Sequence, residues 1–183
     1  MPIRLILCVF IGLSLFACTA TGPRESEVSV AEGVTLKLTA PPVSFDGQNW
    51  FWRMTIRPPG QKQQVILAQM VINEGTLNVV MMTPAGLPLL SIEKQGQQPL
   101  SANYFVPQTQ VHAASILADI QLAHWPLARV NAALSGGRLV IERGLRQLID
   151  GQGRIVMQIQ QQETELHIEH KQRGYRIRLA EIE

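Results

Sequence analysis

The side chains with which this chain could do chemistry are four histidines, two cysteines and fourteen acidic residues. Their spacing selects none of the common catalytic arrangements. His167 and His170 stand three apart in a stretch that alternates like a strand, so they point to opposite faces and make a poor pair for one metal. His124 follows Asp119 by five residues across a helix end. A local contact that stops the helix is the favoured role there, with a hydrogen bond between the two as the alternative. No serine lies in a Gly-x-Ser-x-Gly elbow, and Gly151-Gln152-Gly153 is a turn between strands rather than a phosphate or dinucleotide loop. Glu93, Glu142, Asp150, Glu163, Glu165 and Glu169 fall near turns or on outward parities, and nothing selects two of them as an acid–base pair. The expectation is a protein that is not an enzyme and that holds no metal and no cofactor.

The one residue whose surroundings suggest a covalent fate is Cys18. Arg4 and the initial amino group form a small positive region, and Leu5 to Phe16 is an apolar run too short to span a bilayer core of about 30 Å. Ala17 supplies a small residue before Cys18. Leu15-Phe16-Ala17-Cys18 resembles the bacterial lipobox, in which the cysteine thiol receives diacylglycerol and becomes the new N-terminus. Phe16 departs from the small residue usual at its position. Cys8 sits inside the apolar run with too little of it upstream, and reads as part of a signal helix lost on processing. The alternative for Cys18 is an incidental cysteine beside an ordinary secretory cut. The expected organisation is a signal peptide over 1–17, a lipidated flexible tether over 18–32 and a single domain over 33–183. Lipidation contributes about 0.8 kcal/mol per buried methylene, enough with two or more chains for stable attachment. Thr19 replaces the Asp that usually signals inner-membrane retention in enterobacterial lipoproteins, which points to the periplasmic side of an outer membrane.

Composition narrows the partners. The full chain carries 16 Lys and Arg against 14 Asp and Glu, and removing residues 1–17 takes away only Arg4. A domain so near neutrality gives no electrostatic case for nucleic acid. With Cys18 acylated no thiol pair remains, so the fold cannot rest on a disulfide. One domain with its own core is expected from the length, and the protein is expected to be a monomer.

The elements that must position any site follow from periodicity. Val34, Leu36 and Leu38 alternate with polar residues as a first strand, which Pro41-Pro42 stops. Trp50 to Arg57 alternates again, with Trp50, Trp52, Met54 and Ile56 on one face. Val65 to Asn73, Leu77 to Met82 and Leu87 to Lys94 continue the strands, separated by Asn73-Glu74-Gly75 and Thr83-Pro84-Ala85-Gly86. Gln108 to Leu122 then shows helical spacing with Thr109 as candidate N-cap, and a second helix opens at Pro126 and stops at Gly136-Gly137. Strands return over Arg138 to Arg143, Arg154 to Gln160, Thr164 to Lys171 and Tyr175 to Ile182. Leu145 to Ile149 fits a short strand or a helical turn. Segregated strands and helices predict an α+β antiparallel sheet, a meander that curls strongly.

Apolar residues exceed what a half-buried sheet needs. Val65 to Asn73 is apolar on both faces, and Met70, Met81, Met82 and Met157 add adaptable side chains. One account is a well-filled core. The other is a curled sheet and helical lid enclosing an apolar cavity. Strand parity and helix spacing select its candidate lining: Trp50, Trp52, Met54, Leu67, Met81, Met157 and Leu166 from strands, with Ile116, Ile120 and Leu127 from helices.

Val79-Val80-Met81-Met82-Thr83-Pro84-Ala85-Gly86, followed by a strand, resembles the run of apolar strand, Thr/Ser, Pro and Gly in the outer-membrane lipoprotein receptor LolB. The helical segment Ile116 to Gly136 and the last hairpin around Gly174 fall where that family has its mid-chain helices and final hairpin. Leu117-Ala118-Asp119-Ile120-Gln121-Leu122-Ala123-His124-Trp125-Pro126-Leu127 is similar to a segment of an uncharacterised lipoprotein family encoded beside aryl-polyene biosynthesis genes in Gram-negative bacteria. That second resemblance covers most of residues 18–183. The resemblance implies a LolA/LolB-like fold, an unclosed antiparallel β-barrel with two central helices as plug or lid. It implies an interior that binds an amphipathic lipid, either lipoprotein acyl chains or an aryl-polyene lipid, and a periplasmic LolA-like carrier as partner. The protruding apolar loop by which LolB releases its cargo has no clear counterpart; Leu87 is the nearest stand-in. Fold does not fix function, and a structural lipoprotein that recruits envelope or biosynthetic proteins is the alternative.

Overall fold

The computed structural model of the protein describes residues 27–106 and 112–182. A first hairpin pairs β1 (Glu27–Ala31) with β2 (Val34–Lys37). A 3₁₀ turn at Val43–Phe45 leads into a meander of β3 (Asn49–Arg57), β4 (Gln64–Asn73), β5 (Thr76–Met82), β6 (Pro88–Gln95) and β7 (Ser101–Tyr104). Two helices follow, α1 (Ala113–His124) and α2 (Leu127–Ala133), then the two-residue β8 (Leu134–Ser135). The chain closes with β9 (Gly137–Glu142), β10 (Leu145–Asp150), β11 (Ile155–Gln162), β12 (Glu165–His170) and β13 (Tyr175–Glu181).

All pairings are antiparallel. β1, β2 and β8 form a small sheet, and the other ten strands form one sheet in the order β7-β6-β5-β4-β3-β13-β12-β11-β10-β9. The last strand therefore docks beside the first long one, Leu179 opposite Met54 and Ile177 opposite Ile56, and joins the two meanders. Among the described residues β7 and β9 remain as edges, and the curved sheet is unclosed. This is the expected α+β class.

Register assigns the faces. Trp50, Trp52 and Met54 pair with Met70, Ala68 and Ile66, and Ala68 pairs on with Met81, which faces Leu90. On the other side Leu179 meets Leu166, and Met157 meets His170 and Leu148. These residues share the inner face, against which α1 packs. Met70, Ile72, Leu77 and Met157 are fully buried there. At roughly 25 cal/mol per Å² of apolar surface removed from water, such side chains contribute about 1.5–3 kcal/mol each.

Several boundaries differ from the expectation. β1 begins at Glu27, inside the stretch assigned to a tether over 18–32. Its alternation is only five residues long and is completed by pairing with β2, a partner that local pattern cannot reveal. β7 is exposed along its length and shows no hydrophobic period, so pairing with β6 alone defines it. α1 begins at Ala113 with His112 as N-cap; the expected cap Thr109 lies outside the described residues. Pro126 is the N-cap of α2 rather than its first turn, and Leu134 already belongs to β8. The ambiguous stretch from Leu145 is the strand β10. Among the described residues no helix is long and apolar enough to cross a membrane.

Candidate functional site

The inner face between α1, β3 and β13 brings together Trp50, Trp52, His124, Asp119 and Tyr175. Alternation on β3 brings Trp50 and Trp52 to one side, where their rings stack with centroids 6.0 Å apart and 15° between planes. The His124 ring, from the last turn of α1, stacks on Trp52 at 5.7 Å and lies 6.1 Å from Trp50. Phe45 meets Trp50 and Trp125 edge-on at 6.0 and 5.7 Å. Such contacts contribute about 0.5–1.5 kcal/mol each beyond burial. Neither nitrogen of His124 has a hydrogen-bond partner among the described residues, and burial, helped by the Arg146 charge, lowers its pKa to about 4. The ring is therefore neutral at pH 7. Trp125 is 1% exposed, and its indole N–H has no acceptor among the described residues.

One turn earlier on α1, Asp119 accepts a hydrogen bond of 2.7 Å from the Tyr175 hydroxyl on β13. Burial raises the Asp119 carboxyl to about 7, against the opposing influence of the Tyr175 hydroxyl and the Arg173 charge. Burial, followed by the Asp119 charge, lifts the Tyr175 phenol well above its ordinary range. His170, fully buried on β12, fastens the floor of this region. Its Nε2 lies 2.7 Å from the Val30 carbonyl and the Arg173 amide donates to Nδ1 at 3.2 Å, an arrangement satisfied by the neutral ring carrying its proton on Nε2. Arg146, on the inner face of β10, donates to the carbonyls of Ala123 and Trp125 at 2.8 and 2.6 Å and so satisfies the free end of α1.

The expected lining residues divide by face. Trp50, Trp52, Met54, Met81, Met157 and Leu166 share the inner wall. Ile116, Ile120 and Leu127 are half-buried on the helices and pack against the same core. Leu67 does not join them: it pairs with Arg53 and Met82 and faces outward, because a strand apolar on both faces leaves parity undecided until register is known. Met157, with no exposure, is sealed within the core. Trp50, Ile56, Ile177, Ile116 and Ile120 face the interior yet remain only partly covered. The incompletely covered part of the inner face therefore lies beside α1.

Asp119 and Tyr175 were not linked in the sequence, being 56 residues apart. The available signal was an acid set between Ile116 and Ile120 on the apolar stripe of α1, where a carboxylate requires a partner. His167 and His170 do face opposite sides: His167 lies 2.9 Å from Glu165 on the outer face. A groove of about 500 Å³ opens on that outer face, its lining including Thr55, Arg57, Gln160, His167, Arg176 and Arg178. Its charges are largely internal to the sheet, since Arg178 pairs with Glu165 and Arg176 with Glu169. Hydrogen bonds from Arg178 and His167 hold Glu165 at a pKa of about 2. Among the described residues no three His, Cys, Asp or Glu side chains come together as a metal site.

Chemically, the inner site offers flat aromatic surface, apolar contact and a few polar groups that are neutral or near their titration point. That set suits non-covalent binding of a molecule with an apolar body and a polar end. No curated protein matches the chain. The family model described as "Protein of unknown function (DUF3261)" matches residues 50–183, from β3 to the end of the sequence, and the chain belongs to that family.

Proposed function

We propose that this protein is a LolA/LolB-like lipoprotein, anchored in the outer membrane through a lipid on Cys18, that binds an amphipathic lipid without covalent chemistry. The observation that carries the reading is the partly covered apolar wall beside α1, where Trp50, Ile56, Ile177, Ile116 and Ile120 face inward without being sealed. An acyl or polyene chain laid along that wall removes apolar surface from water, and the half-buried Asp119 and Tyr175 supply hydrogen-bonding groups for a polar end. The lipobox-like run ending at Cys18 supplies the anchor. Lipoprotein acyl chains and an aryl-polyene lipid are the two cargo classes in view, and a periplasmic LolA-like carrier is the donor this reading expects.

The test is to purify the protein from its native host, extract it with organic solvent and identify the extract by mass spectrometry. A stoichiometric lipid or polyene is expected. A clean extract, together with no uptake of a fluorescent fatty-acid probe, sinks the binding reading. Cys18→Ala tests the anchor separately, and the variant should leave the outer membrane for the soluble periplasm or remain uncleaved in the inner membrane. The second reading, a recruiting lipoprotein, draws on the exposed β7, which pairs only with β6 among the described residues and so offers an edge for strand addition. A stoichiometric copurifying protein with no lipid would favour it.

A further inference from the structure

The two ends of the ten-stranded sheet carry opposite charge. Because every pairing is antiparallel, the hairpin turns fall alternately at two ends. The turns after β3, β5, β10 and β12 lie at one end, and those after β4, β6, β9 and β11 at the other. The first end exposes Lys62, Arg154, Lys171 and Arg173, with Arg57 and Arg176 on the adjoining strand ends. Asp150 pairs with Arg154 and Glu169 with Arg176, so those two cations are offset, and Glu32 accepts from the neutral Gln172 amide; Lys62, Arg57, Lys171 and Arg173 remain against Glu32. The second end exposes Glu74 and Glu163 in its turns, with Glu142 and Glu181 on strand ends. Arg143 is an exposed base there, whereas the Lys94 ammonium is buried against the carbonyls of Gly96 and Gln98.

An independent feature brings the N-terminal segment to the basic end. The Arg173 guanidinium donates to the Ser29 carbonyl, His170 holds the Val30 carbonyl, and the Glu32 amide donates to Gln172. β1 is thereby strapped to the β12–β13 turn. Glu27 stands two residues before Ser29, within about 7 Å along a strand. Residues 18–27 reach at most about 30 Å when fully extended. A Cβ on Gly174 would sit 3.4 Å from the Pro59 ring, so the β3–β4 and β12–β13 turns abut and their cations form one face.

We propose that this basic face lies on an anionic phospholipid surface, the leaflet that holds the N-terminal lipid, with the acidic end turned away. The inference rests on the Cys18 anchor. A short tether brings the basic turns to the surface, and attraction that decays over a Debye length of about 10 Å at 0.1 M salt selects that orientation.

The test uses the full-length lipidated protein in vesicles of phosphatidylcholine alone or with phosphatidylglycerol. Intact mass and flotation report the anchor, and hydrogen exchange reports the turns. Amides over 60–63 and 171–174 should exchange at least about fivefold more slowly on the anionic vesicles, with turns 74–75 and 163–164 unchanged. The difference should vanish in 1 M salt, where the Debye length is about 3 Å. Lys62→Gln and Lys171→Gln should each reduce it by about fivefold. Absence of the lipid mass overturns the anchor and this orientation together. A lipidated, floating protein whose basic turns exchange equally on both vesicles overturns the orientation alone.

Discussion

Asp119 is the residue at which pH should act on this fold. Its folded pKa of about 7 lies above the ordinary carboxylate value of 3.8, so between those values the folded state holds more protons than the unfolded one. Its contribution to stability is therefore complete below the unfolded value and declines as pH rises towards 7. Asp119→Asn keeps an acceptor for the Tyr175 hydroxyl and removes the charge. The variant should be more stable than the parent at pH 8 by about 1 kcal/mol and indistinguishable from it near pH 4, as read from thermal melts. His124 acts in the opposite direction. Its pKa is lowered to about 4, so stability is lost as pH falls from the ordinary histidine value of 6.5 through 4. Protonation there places charge against Trp50 and Trp52, and tryptophan fluorescence should change over that acid range in the parent but not in His124→Gln. His170 is a structural case: His170→Ala leaves the Val30 carbonyl unpaired and opens a cavity, and should cost about 2–4 kcal/mol in urea unfolding.

At the scale of elements, the junction between β1–β2 and β9 has the least room. Gly136 has φ +77°, and a Cβ there would overlap the Gly33 carbonyl oxygen; a Cβ on Gly137 would come within 2.7 Å of the Ile149 carbonyl. Gly136→Ala must displace backbone, and a loss of more than about 3 kcal/mol is expected. Gly153 has a similar φ of +81° with open space around it, so Gly153→Ala isolates the backbone term and should cost only about 1 kcal/mol. Comparison of the two midpoints in denaturant separates close packing from conformation. α1 depends on the sheet in a different way. Its C-terminal carbonyls are capped by Arg146 from β10, and Tyr175 from β13 holds Asp119. Arg146→Met should loosen the last turn of α1, seen as faster amide exchange over 121–125 with the sheet's protection retained.

At the scale of the molecule, the fold is a curved sheet whose inner face is filled at its centre and incompletely covered beside α1. If that region receives a chain-like ligand, Trp52→Ala should weaken uptake of a fluorescent fatty-acid probe more than Leu67→Ala, since Leu67 faces outward. Equal losses would count against the inner site. Much of this architecture was legible in the sequence because it is local. Alternation fixed the face of Trp50, Trp52 and Met54, glycine and proline marked the turns, and helical spacing around Ile116 and Ile120 marked α1. The candidate anchor at Cys18 is likewise a local pattern. What local pattern could not supply was pairing. The side taken by Leu67, the existence of β1 and β7, and the union of β13 with β3 depend on which distant segment offers its hydrogen bonds. The site depends on the same thing. Asp119 meets Tyr175, and His124 meets Trp52, only because α1 packs on the inner face after the sheet has curled. Period two and period 3.6 are written residue by residue, whereas a shifted pKa needs burial and a partner, and both come from contacts between segments far apart in the chain.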